Sequence, residues 1–418
     1  MKTYCKPALV NIERWEFNKV AVIECFRRKR NRNDFQRLLC ETGVITKSEL
    51  AEDKLTGNIK RTLDAETVVT KMFTQRIIDR NLSIKPIRKS QRIDGITQKL
   101  RDICQESPEQ QIFEYIAVFA LKPLFKAKIL PVQYGSIPNK GGVAGKRKIE
   151  KLLRRKFKGK ITAIKGDITK AYPSVTVEIV MYLLRRDIHK NKVLLWFLEE
   201  LMKNYPDRHL CIGGYLPAWL FNYVMSYVLR YIYEQKQIRR EKKKKLVYAI
   251  VCYADDFLIL GDMSKLKKAM KKATKWAHDK FGLKIKNAWQ FYQLASLTKE
   301  KENLKLRQCG YKKRTIGIDM MGYVVRRRCT IIRGRVFKRI RRQIIRAWND
   351  FKTRGNVPWW RACKIIAYKG WIKHSNSARL IEKYNLKELF KICQKSASKH
   401  GKEIANEQRI LLITAANS

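Results

Sequence analysis

Two adjacent aspartates, Asp255 and Asp256, stand between apolar runs in "AIVCYADDFLIL" (249–260). Carboxylates are costly to hold beside a core unless something pairs with them, and a hard divalent cation is one such partner. A third carboxylate, Asp167, follows the β-rich stretch of "ITAIKGDITKAYPSV" (161–175). Three carboxylates at the ends of neighbouring strands would converge on one point and offer the oxygen ligands that Mg²⁺ takes. Two such ions about 4 Å apart support nucleotidyl transfer: one acidifies the attacking hydroxyl and the other stabilises the leaving pyrophosphate. Nothing in the sequence advertises a side-chain nucleophile with a Ser/His/Asp or Cys/His spacing, and the five histidines are scattered.

These carboxylates need strands to hold them. The run "VYAIVCYADDFLIL" predicts a strand–turn–strand unit with Ala254, Asp255 and Asp256 at its tip. An aspartate at a turn is most often only a turn residue, so the second segment around Asp167 carries the weight. Around this unit the periodicity predicts helices. "PEQQIFEYIAVFALKPLF" (108–125) reads as a core helix behind a proline, and 176–187 and 215–233 read as helices buried on one face. Residues 263–281 read as an amphipathic helix, with Leu266, Met270, Ala273, Trp276 and Ala277 on the inner side and lysines outside. "ILPVQYGSIPNKGG" is a loop entering a basic helix, "RREKKKKL" (239–246) a charged turn, and the segment carrying Arg27, Arg28, Lys29, Arg30 and Arg32 a basic helix face. Strands and helices in this order predict an α+β fold with a polymerase-like palm rather than a doubly wound sheet.

Lysine and arginine total 92 against 37 acidic residues, a formal charge of +55. Self-repulsion on that scale calls for a polyanion, and nucleic acid is the partner that fits. A spanning helix is not expected, because no stretch of about 18 uninterrupted apolar residues occurs. Ten cysteines without a C-x-x-C pair, and an N-terminus without an apolar signal core, predict a reduced cytoplasmic protein with no zinc ribbon.

From about residue 95 to 390 the chain resembles a reverse transcriptase, with its elements in order. "KLRDI" (99–103) resembles the first fingers motif, which implies that Lys99 and Arg101 grip a triphosphate. "QYGSIPNKGG" (133–142) resembles the second fingers motif. "KGDITKAYPSV" resembles motif A, which implies Asp167 as a metal ligand, Ile168 as a main-chain carbonyl ligand and Tyr172 as a gate against a ribose 2′-hydroxyl. "YADD" resembles motif C, with Asp255 as the second metal ligand and Asp256 as the supporting carboxylate. "FGLKIK" (281–286) resembles motif D, "GIDMMGYVV" (317–325) the primer-grip hairpin, and "AYKGWIKHSNSARLI" (367–381) a thumb end. In motif B, "CIGGYLPAWLFNYV" keeps Gly213 and Asn222 as nucleotide-site residues. Pro217 and Ala218 replace the serine–glutamine pair of diversity-generating retroelement enzymes.

The resemblance implies a right-hand polymerase, its palm an antiparallel sheet plus helices and its thumb helical. The expected divisions are a basic helical extension (1–80), fingers (81–160), palm (161–325) and a basic thumb with tail (326–418). Its implied cofactors are two Mg²⁺ ions, with Mn²⁺ as a substitute. Its implied partners are deoxynucleoside triphosphates, a structured noncoding RNA as template and scaffold, and a cDNA product, with a role in bacterial antiphage defence. Candidate nucleic-acid contacts are Arg27, Arg28, Lys29, Arg30, Arg32, Lys140, Arg154, Arg155, Lys242 to Lys245, Arg339, Arg341 and Arg342, with Trp359, Trp360 and Trp371 for stacking or core. Four alternatives stay open: a diversity-generating enzyme, an RNA-directed RNA polymerase, a non-catalytic RNA-binding relic, and a group II intron maturase. The last is disfavoured because little sequence follows the thumb. Tyr172 favours deoxynucleotides over ribonucleotides. Nothing in the sequence decides for or against a homo-oligomer.

Overall fold

The computed structural model describes residues 3–93, 100–239, 242–309 and 316–416. Four helices come first: α1 (Trp15–Phe26), α2 (Asn33–Cys40), α3 (Lys47–Thr56) and α4 (Lys60–Ile78). A hairpin of β1 (Arg88–Ile93) and β2 (Leu100–Gln105) leads to α5 (Pro108–Lys128) and α6 (Gly142–Lys151). β3 (Ile161–Asp167) is followed by α7 (Val177–Asp187), α8 (Lys192–Lys203) and α9 (Tyr215–Glu234). β4 (Lys236–Arg239), β5 (Lys242–Lys245), β6 (Ala249–Tyr253) and β7 (Asp256–Gly261) precede α10 (Met263–Phe281). After β8 (Gln290–Leu294) and α11 (Leu297–Gln308) come β9 (Ile318–Met320), β10 (Tyr323–Val325) and β11 (Thr330–Ile332). Four helices close the chain: α12 (Gly334–Arg354), α13 (Trp359–Lys373), α14 (Ala378–Lys383) and α15 (Leu386–Ala416).

The expected α+β class with an antiparallel sheet is what forms. The four-stranded sheet runs β6-β7-β3-β8, with β6/β7 and β3/β8 antiparallel. The predicted helices form because each carries an apolar stripe, and two of them start behind a capping side chain. Ser107 caps α5 ahead of Pro108, and Thr176 caps α7. On α10 the buried residues are Leu266, Ala269, Met270, Ala273, Ala277 and Phe281, while Trp276 stays half-buried against Tyr231 at 4.4 Å.

The chain divides into two compact units that alternate along the sequence. The first comprises 1–137, 166–246 and 267–289. Its core is threaded by Phe73, Phe113 and Phe197, with ring centroids 4.9 and 5.8 Å apart, which ties α4, α5 and α8 together. Asn18 of α1 is fully buried and donates to Ile12 O (2.8 Å) and Thr74 Oγ1 (2.9 Å), so a polar side chain fixes α1 on α4.

The second unit comprises 138–165, 247–266 and 290–418. It holds the sheet, the three-stranded β11-β10-β9 unit and the basic C-terminal helices. Ile340, Ile344 and Ala347 of α12 pack with Ile365 of α13 and with Leu386 and Leu389 of α15. At the β9–β10 turn, Gly322 has φ +78°, and a Cβ there would run into the Trp371 ring. Trp371 also lies 4.8 Å from the Tyr323 ring, which makes it a packing residue. Arg327 is fully buried and donates to Leu153 O (2.9 Å), Phe157 O and Gly159 O. It closes the carbonyl end of the π-helical turn Leu152–Lys156, where main-chain acceptors lack helical partners.

Two expectations are corrected. The charged turn expected at 239–246 is strand over most of its described residues: β4 and β5 pair as an antiparallel hairpin, closed at its base by Leu246 N on Gln235 O (3.1 Å), and residues 240–241 lie outside the described residues. Alternating side chains on a paired ladder outweigh the poor strand propensity of lysine. The run from Arg27 to Arg32 is a turn between α1 and α2, not a helix face. Phe26 and Phe35 meet edge to face at 5.2 Å, so the chain reverses between them.

Candidate active site

The β6–β7 hairpin turns in two residues. Tyr253 pairs with Asp256 across the ladder, which leaves Ala254 and Asp255 at the tip. Ala254 takes φ +53°, a conformation that costs a non-glycine residue about 1–2 kcal/mol and persists only where the flanking strands enforce it. They do, for Ile250, Val251, Cys252, Phe257, Leu258 and Ile259 are all buried. The Cys252 thiol contacts Ala254 O at 3.2 Å, and burial followed by the charges of Asp255 and Asp256 pushes its pKa up.

Lys165 Nζ lies 3.1 Å from Asp256 Oδ1. Side chains alternate along a strand, so Lys165 and Asp167 share one face of β3. Asp167 ends β3 in the first unit, and Asp256 begins β7 in the second. Asp167 Oδ2 accepts from Lys286 Nζ, while Lys286 N donates to Asp167 O at 2.9 Å and Thr169 N donates to Lys284 O at 2.9 Å. These bonds flank the Ile168↔Ile285 bridge, so antiparallel alternation turns the Ile168 carbonyl to the strand's other edge.

Asp167 Oδ1 is buried and has no hydrogen-bond partner among the described residues. A buried anionic oxygen without a donor is what a hard cation satisfies, so the donor chemistry fits Mg²⁺. Among the described residues, no three His, Cys, Asp or Glu side chains are gathered as a metal cluster. Lysines stand at two of the three carboxylates instead: Lys286 at Asp167 and Lys165 at Asp256. Sequence reasoning missed both. Lys286 closes the "FGLKIK" segment, and Lys165 stands one strand period before Asp167, which were the available signals.

Residues 87–294 match the profile of the reverse transcriptase (RNA-dependent DNA polymerase) family. These residues are a reverse transcriptase domain. Such a domain is that of an RNA-directed DNA polymerase, a nucleotidyltransferase. Among solved structures, the chain is similar to telomerase from Candida albicans, determined in complex with a TWJ fragment of telomeric RNA. The TM-score is 0.39 at 10% identity, covering 76% of this chain and 61% of that one. A search of curated protein sequences finds no match.

Within the reverse transcriptase domain, Tyr172 stacks on Phe221 with centroids 4.8 Å apart, which fixes the ring following Asp167. Arg101 on β2 stands opposite Arg92 on β1, both exposed. Like charges facing across a ladder repel, so this pair suits an anion. Lys99 lies outside the described residues. Gly213 has φ +115°, and a Cβ there would lie 3.1 Å from both Cys104 O and Ile103 Cγ2, so glycine lets the loop before α9 close on β2. Asn222 is buried: its amide donates to Gly135 O (3.0 Å) and Ala218 O (2.9 Å), and Gln133 donates to its carbonyls. Both residues shape the site through packing. Pro217 sits in the first turn of α9, where a missing N–H is tolerated. The α9 N–H groups of Tyr215 and Leu216 donate instead to Glu114 Oε2, at 2.8 and 2.9 Å.

Several basic candidates have structural partners. Arg30 grips the fully buried Glu66 with two bonds of 2.6 and 3.0 Å, an ion pair at the edge of the core. Lys29 lies 4.3 Å over the Tyr115 ring, and Arg32 pairs with Asp34. Arg27 and Arg28 stay exposed. Burial lowers the pKa of Lys140. Arg154 donates to Arg327 O at 3.0 Å, and Arg155 is exposed beside it. On α12, Arg341 donates to Tyr384 Oη at 2.8 Å and Arg342 is exposed, while Arg339 is half-buried. Trp359 and Trp360 are exposed, the first stacked on His400 at 4.4 Å. No helix of the described residues is long and apolar enough to cross a membrane.

Proposed function

We propose that the chain is an RNA-directed DNA polymerase that uses two divalent metal ions to copy a bound structured noncoding RNA into cDNA. The carrying observation is Asp167 at the end of β3 with its buried unpartnered oxygen; the aspartates Asp255–Asp256 at the two-residue tip of the β6–β7 hairpin support the same reading. Asp167, Asp255 and the Ile168 carbonyl would hold Mg²⁺, or Mn²⁺ in its place, with Asp256 in support. When bound, the metal pair acidifies a primer 3′-hydroxyl and stabilises the departing pyrophosphate. The chain's own residues bind and orient around that chemistry. Arg101 receives the triphosphate of a deoxynucleotide, and Tyr172, held by Phe221, crowds a 2′-hydroxyl. A charge of +55 exceeds what one primer–template duplex calls for, which supports a resident structured RNA.

A role in antiphage defence rests on the sequence resemblance. The apolar Pro217–Ala218 pair in α9 favours it over the diversity-generating reading, because neither side chain offers a polar contact. Sequencing the nucleic acid that co-purifies with the protein tests the proposal. The expected result is one discrete RNA together with DNA complementary to it. A broad sample of cellular RNA with no complementary DNA would overturn it.

A further inference from the structure

The β4–β5 hairpin is built against its own electrostatics. Its register sets Lys236 opposite Lys245 and Ile238 opposite Lys243. Directly opposed residues point to the same side of a ladder, so Lys236, Ile238, Lys243 and Lys245 share one face. All four are exposed, Ile238 at 68%. Like charges facing across strands destabilise a pair, and a lone two-stranded hairpin is marginal even without them. Lys245 Nζ lies 4.4 Å over the ring of Tyr233, itself 39% exposed at the end of α9. The face therefore joins three ammonium groups to an exposed branched alkyl group and an exposed aromatic ring.

We infer that this face is a docking surface for an unpaired segment of nucleic acid, with the lysines on successive phosphates and Tyr233 and Ile238 against bases. Phosphates remove the cross-strand repulsion, and unpaired bases offer flat apolar faces that a regular duplex hides. Anionic lipid also accepts lysines beside an interfacial tyrosine; the formal charge of +55 over the whole chain favours a polyanion instead. The inference rests on the polymerase reading only for the choice of ligand. Its test needs no synthesis, so the two can fail separately.

The experiment measures binding of the full-length protein to a short unpaired RNA, the same sequence as duplex, and vesicles containing phosphatidylserine, across a salt series. The triple change Lys236→Gln, Lys243→Gln and Lys245→Gln is expected to weaken unpaired RNA at least about tenfold and to lower the salt slope by ~2, at ~0.7 per lost phosphate contact. Tyr233→Ala should weaken unpaired RNA more than duplex. The charge-matched control Lys268→Gln, Lys271→Gln and Lys272→Gln, on the exposed side of α10, should shift binding far less. Lys236→Glu separates binding from folding, because it places opposite charges across the ladder. It should slow proteolysis within the hairpin while weakening RNA. Equal losses for hairpin and control variants, equal losses for duplex and unpaired RNA, or loss of vesicle binding with RNA binding retained would each overturn the inference.

Discussion

Lys165 Nζ stands 3.1 Å from Asp256 Oδ1, so a lysine of β3 holds a carboxylate of the β6–β7 hairpin. An ammonium at that distance competes with any cation the site attracts. Removing it as Lys165→Gln should lower the Mg²⁺ concentration giving half-maximal primer extension by roughly fivefold, the equivalent of a partly screened unit charge. A magnesium titration reads this directly. A higher requirement would show that the lysine positions the carboxylate instead.

Tyr172 owes its orientation to Phe221, 4.8 Å away. Tyr172→Ala should reduce discrimination against ribonucleotides on the order of tenfold or more, and Phe221→Leu should reduce it by less in the same direction. Competing deoxy- and ribonucleotide incorporation on one template gives the ratio. Unchanged sugar selectivity in Tyr172→Ala would sink the gate assignment.

The sheet, the long helices and the hairpin tip were legible because each follows from a local pattern: alternation through "AIVCYADDFLIL", or a stripe at helical spacing behind Ser107 or Thr176. Lys165 and Lys286 were not, because pairing between distant strands leaves no periodic mark. The β4–β5 hairpin was hidden for a different reason, since lysine is a poor strand former and four in a row resemble a solvated turn. The ion pair of Arg30 with Glu66 was hidden because Glu66 lies far along the chain.

Arg327 carries a buried positive charge onto three main-chain carbonyls. Arg327→Met removes the donors and leaves Leu153 O, Phe157 O and Gly159 O without them. We expect a loss of about 3 kcal/mol, seen as a lower denaturant midpoint with unchanged slope. A shift under about 0.5 kcal/mol would mean that water replaces the guanidinium.

Glu106 is pushed up to about 10, first by burial and then by the neighbouring charge of Glu114, to which it hydrogen-bonds. Its folded pKa is raised above an unfolded value near 4.3, so its contribution is fully present below that value and is lost as pH rises towards 10. Glu106→Gln keeps the neutral form at every pH. Its melting temperature should gain on the parent steadily from pH 6 to pH 9. A constant difference across that range would show that the two carboxyls do not share a proton.

The most direct measurement is single-turnover addition of one deoxynucleotide to a primer on an RNA template in Mg²⁺, comparing the parent with Asp255→Asn. The parent should extend the primer. Asp255→Asn should slow the step by at least about 10³-fold, as loss of a metal ligand's charge would, with the melting temperature held within a few degrees. Extension by Asp255→Asn at a rate near the parent's would contradict the assignment of the hairpin aspartates to catalytic metal.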